Sequence, residues 1–237
     1  MIGIIGAMED EVAMLRAAIQ QPRQEQYGSF AFFLGRLEQQ EVALLQCGIG
    51  KVNAAIGCAL LLSAYNPIFV INSGSAGGLD PTLAVGDAII ADGLVQHDVD
   101  VRGFGYQAGQ IPGLPVIFPV PGEYILRAEQ AVEELKREGL LPAGFNHVRG
   151  LVGSGDVFVD REERIAAIRQ NFPQIKAVEM EGAAIAQCCY QFSTPAIIIR
   201  ALSDIAGKES PLAFREFLPI ASKNSGEIVR RILRNWG

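Results

Sequence analysis

The chain has 237 residues, of which 49% are hydrophobic and 19% are charged, and its net charge is −6. This composition is typical of a compact globular protein rather than a disordered one. The acidic balance provides no basic surface for nucleic acid, and no apolar run is long enough to span a membrane. The first residues lack the basic start of a secretion signal. We therefore expect a cytoplasmic protein that binds neither nucleic acid nor membranes.

Four cysteines are present, and their spacing does not predict a metal site. Cys47, Cys58, Cys188 and Cys189 form no CxxC pair and no cluster with histidine. This pattern is typical of reduced, mostly buried thiols in an intracellular protein. We therefore expect no structural or catalytic metal and no cofactor.

Hydrophobic periodicity predicts strands that alternate with helices along the chain. The predicted elements are, in order, a buried strand at 1–7, a helix at 8–19, a β-hairpin at 29–48, a helix at 50–65, strands at 66–74 and 85–98, a helix at 123–139, a strand at 147–156, a helix at 161–172, a strand ending near Val178, a helix from 182, a strand at 194–204 and a helix from about Leu212.

This alternation predicts one α/β domain over residues 1–237, with a central β-sheet flanked by helices. The hairpin makes the predicted sheet mixed rather than purely parallel. Residues 102–122 are rich in glycine and proline and are predicted to form a long loop. A loop of this length in a compact domain usually has a function or lies at an interface.

Acidic residues follow several of the predicted strands. Glu11 comes just after the first strand, Glu179 and Glu181 flank Met180 after another, and Asp204 ends the last one. A glycine-rich turn, GSAGG, follows a further strand and would add backbone N–H groups. Because ligands of α/β sheets bind beyond the carboxyl ends of strands, we expect these groups to share one pocket.

Each feature also has a purely structural explanation. Acids favour the first turn of a helix, and Asp204 or Glu181 could each cap a helix. The glycine-rich turn could be only a turn, and the nearby methionine and phenylalanine could belong to the core. His97 and His147 have no visible partner in the sequence and are predicted to be structural.

Seven segments carry a resemblance to a known family: GIIGAMEDEV, CGIGKVNAA, NSGSAGGLDPTLAVGD, HDVDVRGFGYQAGQIPG, SGDVF, AVEMEGAAIAQ and RALSD. In this order and spacing they resemble the 5′-methylthioadenosine/S-adenosylhomocysteine nucleosidases, which have the purine nucleoside phosphorylase-like fold. The resemblance extends from residue 2 to about residue 218. Arg102 departs from it, because the family more often has a small polar residue there.

The resemblance implies hydrolysis of the N-glycosidic bond in 5′-methylthioadenosine, S-adenosylhomocysteine and 5′-deoxyadenosine, as in methionine salvage. Glu11 is implied as the base that activates water, and Ser75 and Arg200 as the groups that place the water. Asp204, held by Ser203, is implied as the acid at adenine N7. Such cleavage passes through an oxocarbenium-like state, which nearby carboxylates stabilise.

The resemblance also implies which residues contact the substrate. They are Met8, Ile49, Ser75, Ala76, Gly77, Phe158, Val159, Glu179, Met180, Glu181, Arg200, Ser203 and Phe214. Phe158 would stack on adenine, whose edge the backbone of Val159 would contact. Glu181 would bind the ribose hydroxyls beside Met180, and Glu179 would pair structurally or join that contact.

The family is usually homodimeric, which assigns a role to two further segments. Val101 and Phe104 are expected to reach the 5′ pocket of the neighbouring subunit, because an exposed apolar loop would otherwise be costly. Residues 206–218 are expected to form a lid over the ligand, with Phe214 as its apolar contact.

Other functions remain open on the sequence alone. A nucleoside phosphorylase of the same fold must bind phosphate, normally with arginines and backbone N–H groups. The acidic segment GAMEDE and the presence of only Arg200 among the candidates argue against it. A nucleosidase for futalosine or AMP would differ mainly in the 5′ pocket. A non-catalytic nucleoside-binding protein would be indicated by loss of Glu11 or Asp204, and both are present.

Overall fold

The computed structural model describes residues 1–207 and 210–236, without the side chains of 210–213. Within these residues the chain forms ten β-strands and six α-helices. The strands are β1 (Ile2–Gly6), β2 (Gln20–Tyr27), β3 (Phe30–Leu37), β4 (Gln40–Gln46), β5 (Val70–Gly78), β6 (Ala88–Gln96), β7 (Ile117–Pro119), β8 (His147–Ser154), β9 (Ile175–Glu179) and β10 (Ala196–Ile205). The helices are α1 (Glu9–Ala18), α2 (Lys51–Tyr65), α3 (Gly122–Arg137), α4 (Glu162–Asn171), α5 (Gly182–Gln191) and α6 (Ser210–Arg234).

The strands pair into one mixed sheet, which confirms the predicted α/β class. Their order is β10-β6-β8-β9-β5-β1-β4-β3-β2, and β7 pairs with β6. Strand β10 also pairs with β5, so β5, β10, β6, β8 and β9 close into a ring of paired strands. Strand β1 is parallel to β4 and β5, whereas β3 is antiparallel to β2 and β4.

The parallel strands β5 and β10 form the buried centre of the sheet. Ile71 and residues 197–199 have no solvent exposure. Such continuous apolar runs are typical of parallel strands that helices cover on both faces. Helix α6 packs against both strands, and α2 packs against α5. Because β5 and β10 run in the same direction, their carboxyl ends lie side by side, and Gly77 pairs with Asp204.

The predicted hairpin is confirmed, and its strands are joined by a two-residue turn. Strands β3 and β4 are antiparallel and are joined by Glu38 and Gln39. Both residues have positive φ angles, of 47° and 70°. This conformation is typical of a type I′ turn, whose twist matches that of the flanking strands.

Two strands were not predicted from the sequence. Strand β2 reads QQPRQEQY and is largely exposed at the edge of the sheet. It therefore lacks the apolar alternation by which a half-buried strand is recognised. Strand β7 lies within residues 102–122, which were predicted to be a loop, and is only three residues long. Helix α6 begins at Ser210, slightly before the predicted start near Leu212.

The described residues contain no helix that is long and apolar enough to cross a membrane. All four cysteines are free thiols, and Cys188 is the one with partial exposure. Cys58 Sγ lies 3.8 Å from Cys189 Sγ, where α2 crosses α5. These thiols act as small apolar groups at the helix crossing.

Candidate active site

A cavity of about 330 Å³ opens beyond the carboxyl ends of β1, β5, β9 and β10. It is lined by Ala7, Met8, Glu11, Ile49, Ser75, Ala76, Gly77, Phe158, Glu179, Met180, Glu181, Ser203, Asp204, Phe214 and Arg215. Its volume is within the range of small-molecule sites. The lining is mostly apolar, but it includes the carboxyl groups of four acids from three different segments of the chain.

Glu11 lies in the first turn of α1 and turns its carboxylate back toward the end of β1. Oε2 accepts the N–H groups of Ala7 and Met8 at 2.8 and 3.1 Å. Oε1 accepts the N–H and the hydroxyl of Ser75 at 2.9 and 3.0 Å. An acid is favoured at this helix terminus in any case. Here the four donors also fix the buried carboxylate between the ends of two strands.

Asp204 comes directly after an irregularity in β10. The register between β10 and β5 shifts between Leu202 and Asp204, which inserts Ser203 as an extra residue. A bulge of this kind redirects the side chains that follow it. Ser203 Oγ donates to Asp204 Oδ1 at 2.9 Å, and Asp204 is 2% exposed. Both side chains reach the cavity as a result.

Glu179 and Arg200 form a buried ion pair at the floor of the cavity. Arg200 Nη2 donates to Glu179 Oε2 at 2.7 Å, and the side chains are 2% and 3% exposed. The same carboxylate accepts the Ser154 hydroxyl and the Gly182 N–H. Burial alone would raise the pKa of Glu179, but Arg200 and these donors hold it below its usual range.

Glu181 occupies the N-cap position of α5, next to this ion pair. Its Oε1 accepts the N–H of Gly50 at 2.7 Å. Burial and the neighbouring charge of Glu179 raise the pKa of Glu181 to about 8, although the Gly50 N–H and Arg200 act in the opposite direction. At neutral pH this carboxyl is therefore largely protonated. A protonated carboxyl can both donate to and accept from a hydroxyl group.

An aromatic wall lies beside Asp204. Phe158 is 38% exposed, and Phe214 meets it edge-on with ring centroids 6.0 Å apart. A recess of about 30 Å³ adjoins the cavity and is lined by Gly77, Val157, Phe158, Val159, Val178, Glu179 and Asp204. A flat ligand in the main cavity, with its edge at this recess, would contact an aromatic face and the carboxyl group of Asp204 together.

Most of the site residues predicted from the sequence lie together in this cavity. They are Met8, Glu11, Ile49, Ser75, Ala76, Gly77, Phe158, Glu179, Met180, Glu181, Ser203, Asp204 and Phe214. Val159 lines the adjoining recess. Val101 and Phe104 lie away from the cavity, around a 3₁₀ turn at Arg102–Phe104, and Phe104 is 84% exposed. Arg102 forms an exposed ion pair with Asp100 at 2.6 Å.

Arg200 does not occupy the position predicted for it. It was expected beside the attacking water, but it is not among the residues that line the cavity. Its guanidinium donates to Glu179, to the side chain of Asn72 and to the carbonyl of Ile199. Glu179 is the one of these partners that lines the cavity, so Arg200 acts on the site through Glu179.

Several residues of the site were missed in the sequence. Ala7 and Arg215 line the cavity. Asn72, Ser154 and Gly50 hold Arg200, Glu179 and Glu181 from behind. Ser154 stands in the motif SGDVF and Gly50 in CGIGKVNAA, so both motifs gave a signal, although their contacts could not be assigned.

The predicted lid, residues 206–218, is described only in part. Residues 208 and 209 and the side chains of 210–213 lie outside the described residues. Phe214 contacts Phe158 at the cavity. The lid itself therefore stays a prediction.

The described residues include no group of three or more His, Cys, Asp or Glu side chains placed to hold a metal ion. His97 and His147 do not line the cavity, and burial lowers the pKa of both rings. The chemistry available from the described side chains is therefore that of carboxyl groups. A firmly held carboxylate, a buried carboxyl beside a hydroxyl and an aromatic face are suited to acid–base cleavage of a glycosidic bond.

Comparison with known proteins agrees with this chemistry. The model of the phosphorylase superfamily matches residues 1–234. The chain is 46% identical to the 5′-methylthioadenosine/S-adenosylhomocysteine nucleosidase of Marinomonas sp. (strain MWYL1), over 98% of each chain. It is 49% identical to the enzyme of the same name from Geobacillus thermodenitrificans, over 97% of this chain and 94% of that one.

The solved structures give the same result. The nucleosidase of Neisseria meningitidis in complex with methylthio-immucillin-A superposes with a TM-score of 0.94, at 42% identity and 98% coverage of both chains. The futalosine hydrolase of Helicobacter pylori superposes with a TM-score of 0.89, at 29% identity over 98% of this chain and 96% of that one. The nucleoside phosphorylase-like fold expected from the sequence is confirmed. The chain belongs to the 5′-methylthioadenosine/S-adenosylhomocysteine nucleosidase family of the phosphorylase superfamily.

Proposed function

We propose that the protein is an N-glycosyl hydrolase that cleaves 5′-methylthioadenosine and S-adenosylhomocysteine, and also 5′-deoxyadenosine, into adenine and the 5′-substituted ribose. The observation that carries this proposal is the position of Glu11. Its carboxylate accepts hydrogen bonds from the N–H groups of Ala7, Met8 and Ser75. Free N–H groups at strand ends and turns would bind an anion such as phosphate. Because these N–H groups already donate to Glu11, they cannot bind phosphate, and water is the nucleophile that suits this end of the cavity.

The remaining charges also favour hydrolysis over phosphorolysis. A phosphate dianion needs cationic partners, usually arginines. Arg200 is paired with Glu179 behind the floor. Among the described residues that line the cavity, Arg215 is the one cation, and it follows Phe214 at the aromatic wall. Phosphate in this cavity would therefore face carboxyl groups on most sides.

The proposed reaction needs one proton acceptor and one proton donor. The oxygen of water attacks C1′ of the ribose, and Glu11 takes the proton that the water loses. The electron pair of the N9–C1′ bond passes to adenine, which takes a proton at N7 from Asp204. Burial disfavours the charged form of a carboxyl group, which suits a proton donor, and Ser203 orients this one.

The other contacts are proposed to hold the two halves of the nucleoside. Phe158 stacks on adenine in the cavity beside Asp204, and the backbone of Val159, at the adjoining recess, contacts the adenine edge. Glu181 binds the ribose hydroxyls, with Met180 packed against the sugar. Glu179 is proposed to have a structural role, because its carboxylate already accepts hydrogen bonds from Arg200 and from backbone N–H groups.

We propose that the protein is a homodimer in which Val101 and Phe104 complete the 5′ pocket of the neighbouring subunit. Phe104 is almost fully exposed in the described chain, and Val52, Ile56 and Phe192 are exposed apolar residues as well. Exposed apolar side chains of this size are typical of protein interfaces. We further propose that residues 1–237 act as one domain in the cytoplasm, where free thiols stay reduced.

Adenine release is expected to proceed at the same rate with and without phosphate. The test is incubation of the protein with each candidate nucleoside, including futalosine and AMP, followed by identification of the sugar product. Hydrolysis gives the free 5′-substituted ribose. Formation of a ribose 1-phosphate as the main product would overturn the hydrolase proposal, and absence of any cleavage would favour a binding protein.

Asp204→Asn is expected to lower kcat by at least ~10²–10⁴-fold, the range of general acid catalysis. The amide cannot donate the proton that adenine needs, but its shape preserves the cavity. Steady-state kinetics with 5′-methylthioadenosine measures the loss. Asp92→Asn, at an exposed position of β6, is the control and should keep wild-type activity. Turnover of Asp204→Asn within threefold of wild type would remove Asp204 from the role of acid.

Glu11→Gln and Glu181→Gln are expected to fail differently. Glu11 acts on water in the chemical step, so its loss should lower kcat with little change in ligand affinity. Glu181 binds the ribose throughout, and a buried hydrogen-bonding group that loses its partner costs ~1–3 kcal/mol, so its loss should weaken binding roughly five- to hundredfold. Calorimetric titration with a non-hydrolysable adenine nucleoside that resembles the ground state, rather than the transition state, separates the two variants.

Asp10→Asn is the control for this pair, because Asp10 is the exposed neighbour of Glu11 on α1. If Glu11→Gln loses affinity while Glu181→Gln keeps it, the two roles have been assigned the wrong way round. If both variants change only the stability of the protein, the acids are structural.

Phe104→Ala is expected to raise KM for 5′-methylthioadenosine by about tenfold, because an apolar contact of this kind contributes ~1–3 kcal/mol. KM for adenosine, which lacks the apolar 5′ group, should change much less. Leu126→Ala, on the exposed face of α3, is the control. Sedimentation of the wild type measures its oligomeric state directly. A monomer with full activity would contradict the proposal that each subunit completes the 5′ pocket of its neighbour.

A further inference from the structure

A closed ring of hydrogen bonds joins three turns next to the cavity. It consists of Lys51, Asp98 and Asp156, and we call it the Asp98 ring. Lys51 Nζ donates to Asp98 Oδ1 at 2.6 Å, and the Asp156 N–H donates to Asp98 Oδ2 at 3.0 Å. The Lys51 N–H donates to Asp156 Oδ1 at 2.7 Å and closes the ring. None of the three is among the residues that line the cavity, so the proposed reaction leaves them unexplained.

The ring is attached to the two acids at the ribose end of the cavity. Gly50 directly precedes the lysine of the ring and donates its N–H to Glu181 Oε1 at 2.7 Å. Ser154 lies two residues before Asp156 and donates its hydroxyl to Glu179. Asp98 therefore connects the turn that holds one acid with the turn that holds the other.

The geometry at Gly50 shows how closely the two turns fit. Gly50 has a φ of +97°, a backbone conformation that residues other than glycine rarely adopt. A Cβ at this position would lie 3.1 Å from Asp156 Oδ1. Gly50 is also the N-cap of α2 and has no side chain to satisfy the first N–H groups of the helix. The carboxylate of Asp156 supplies that contact from another turn.

Asp98 is held as a carboxylate on both of its oxygens. Burial alone would raise its pKa, but the ammonium of Lys51 and the N–H of Asp156 hold the pKa of Asp98 below its usual range. Lys51 also donates to the side-chain oxygen of Gln96 at 2.9 Å. The ring is thus fixed by an ion pair whose two side chains are both partly buried.

We propose that Asp98 is a positioning residue of the nucleosidase: through Lys51 and Asp156 it holds the Gly50 N–H against Glu181 and so determines how tightly the ribose is bound. This inference rests on the proposed function, in which Glu181 binds the ribose hydroxyls. Asp98 itself touches neither the substrate nor the reacting atoms. Its loss should let the turn before α2 move and weaken the contact between Gly50 and Glu181.

The competing explanation is that the ring only stabilises the fold. A partly exposed ion pair of this kind usually contributes little to stability. A purely structural ring would change the melting temperature without changing the affinity of the folded protein for ligand. Asp80 offers a matched comparison, because its carboxylate also binds a lysine, Lys176, at 2.6 Å and a backbone N–H, that of Thr82.

The pH dependence of ribose binding distinguishes positioning from a direct effect of charge. The groups that act on Glu181 are the charges of Glu179, Arg200 and Glu11, the thiol of Cys47 and the Gly50 N–H. Burial and Glu179 raise the pKa of Glu181, and the Gly50 N–H lowers it. Loss of that N–H therefore raises this pKa further. Removal of the negative charge of Asp98 would by itself lower it, which is the opposite sign.

The test compares Asp98→Asn with Asp80→Asn in the full-length protein. Calorimetry measures the affinity for methylthio-immucillin-A and, separately, for adenine, which has no ribose. Steady-state kinetics with 5′-methylthioadenosine gives kcat and KM from pH 5 to 9, and melting temperatures report stability. Lys51→Met opens the ring from its other side and is measured in parallel, so that a folding failure of one variant still leaves a test. Lys51→Arg keeps the charge and should restore part of the loss.

Asp98→Asn and Lys51→Met are expected to bind the nucleoside analogue about tenfold more weakly, with adenine affinity unchanged. The limb of the kcat/KM profile that reports Glu181 should move to higher pH. Asp80→Asn should lower only the melting temperature. If Asp98→Asn behaves like Asp80→Asn, or if the limb moves to lower pH, the positioning role is wrong. If the wild type neither binds nor cleaves 5′-methylthioadenosine, the proposed function fails first, and the role of Asp98 fails with it.

Discussion

The buried ion pair between Glu179 and Arg200 is the interaction on which the site depends. Arg200 projects from β10 and Glu179 ends β9, and Ser154 of β8 and Asn72 of β5 complete their contacts. Asn72 in turn donates to the carbonyl of Ile5 in β1 at 2.9 Å. One pair of charges therefore connects five strands at the edge where the cavity opens. Loss of either partner of a buried pair leaves an uncompensated charge, which typically costs ~3–5 kcal/mol.

This pair also determines the charge of its neighbours. Arg200 keeps Glu179 ionised. The carboxylate of Glu179 also accepts the backbone N–H groups of Glu181 and Gly182, which fixes the start of α5. The charge of Glu179 then raises the pKa of Glu181, together with burial. Two acids separated by one methionine thus have different protonation states and different tasks. Glu179 holds the strands together through Arg200, and Glu181 is available to the ligand.

The acidic residues at strand ends could be predicted from the sequence because chain order alone places them. The roles of individual side chains on β10 could not. The resemblance implied that Arg200 and Asp204 both act at the substrate, and a strict alternation along the strand would put them on the same face. The inserted residue between Leu202 and Asp204 breaks that alternation. Arg200 therefore points to the floor and Asp204 to the cavity, and nothing in RALSD marks the bulge.

The same limit explains which parts of the fold were missed. Strand β2 pairs with β3 at the edge of the sheet and is largely exposed, so its sequence is mostly polar. The central strands could be predicted because both of their faces are buried, as residues 197–199 illustrate. Apolar patterns in a sequence indicate which residues are buried, whereas backbone pairing at an exposed sheet edge produces no such pattern.

The glycine-rich segment GSAGG, which was predicted to be a turn, instead forms the last five residues of β5, because β10 pairs with all of them. It was predicted to present N–H groups to a ligand, and its serine does donate an N–H, but to Glu11. A Cβ at Gly74 would lie 2.8 Å from Glu11 Oε1, and one at Gly77 would lie 3.2 Å from Asp204 Oδ2. The small residues therefore make room for two carboxyl groups of the protein itself. A strand end whose N–H groups could bind an external anion instead holds internal acids, and this directs the cavity toward water and a developing cation rather than toward phosphate.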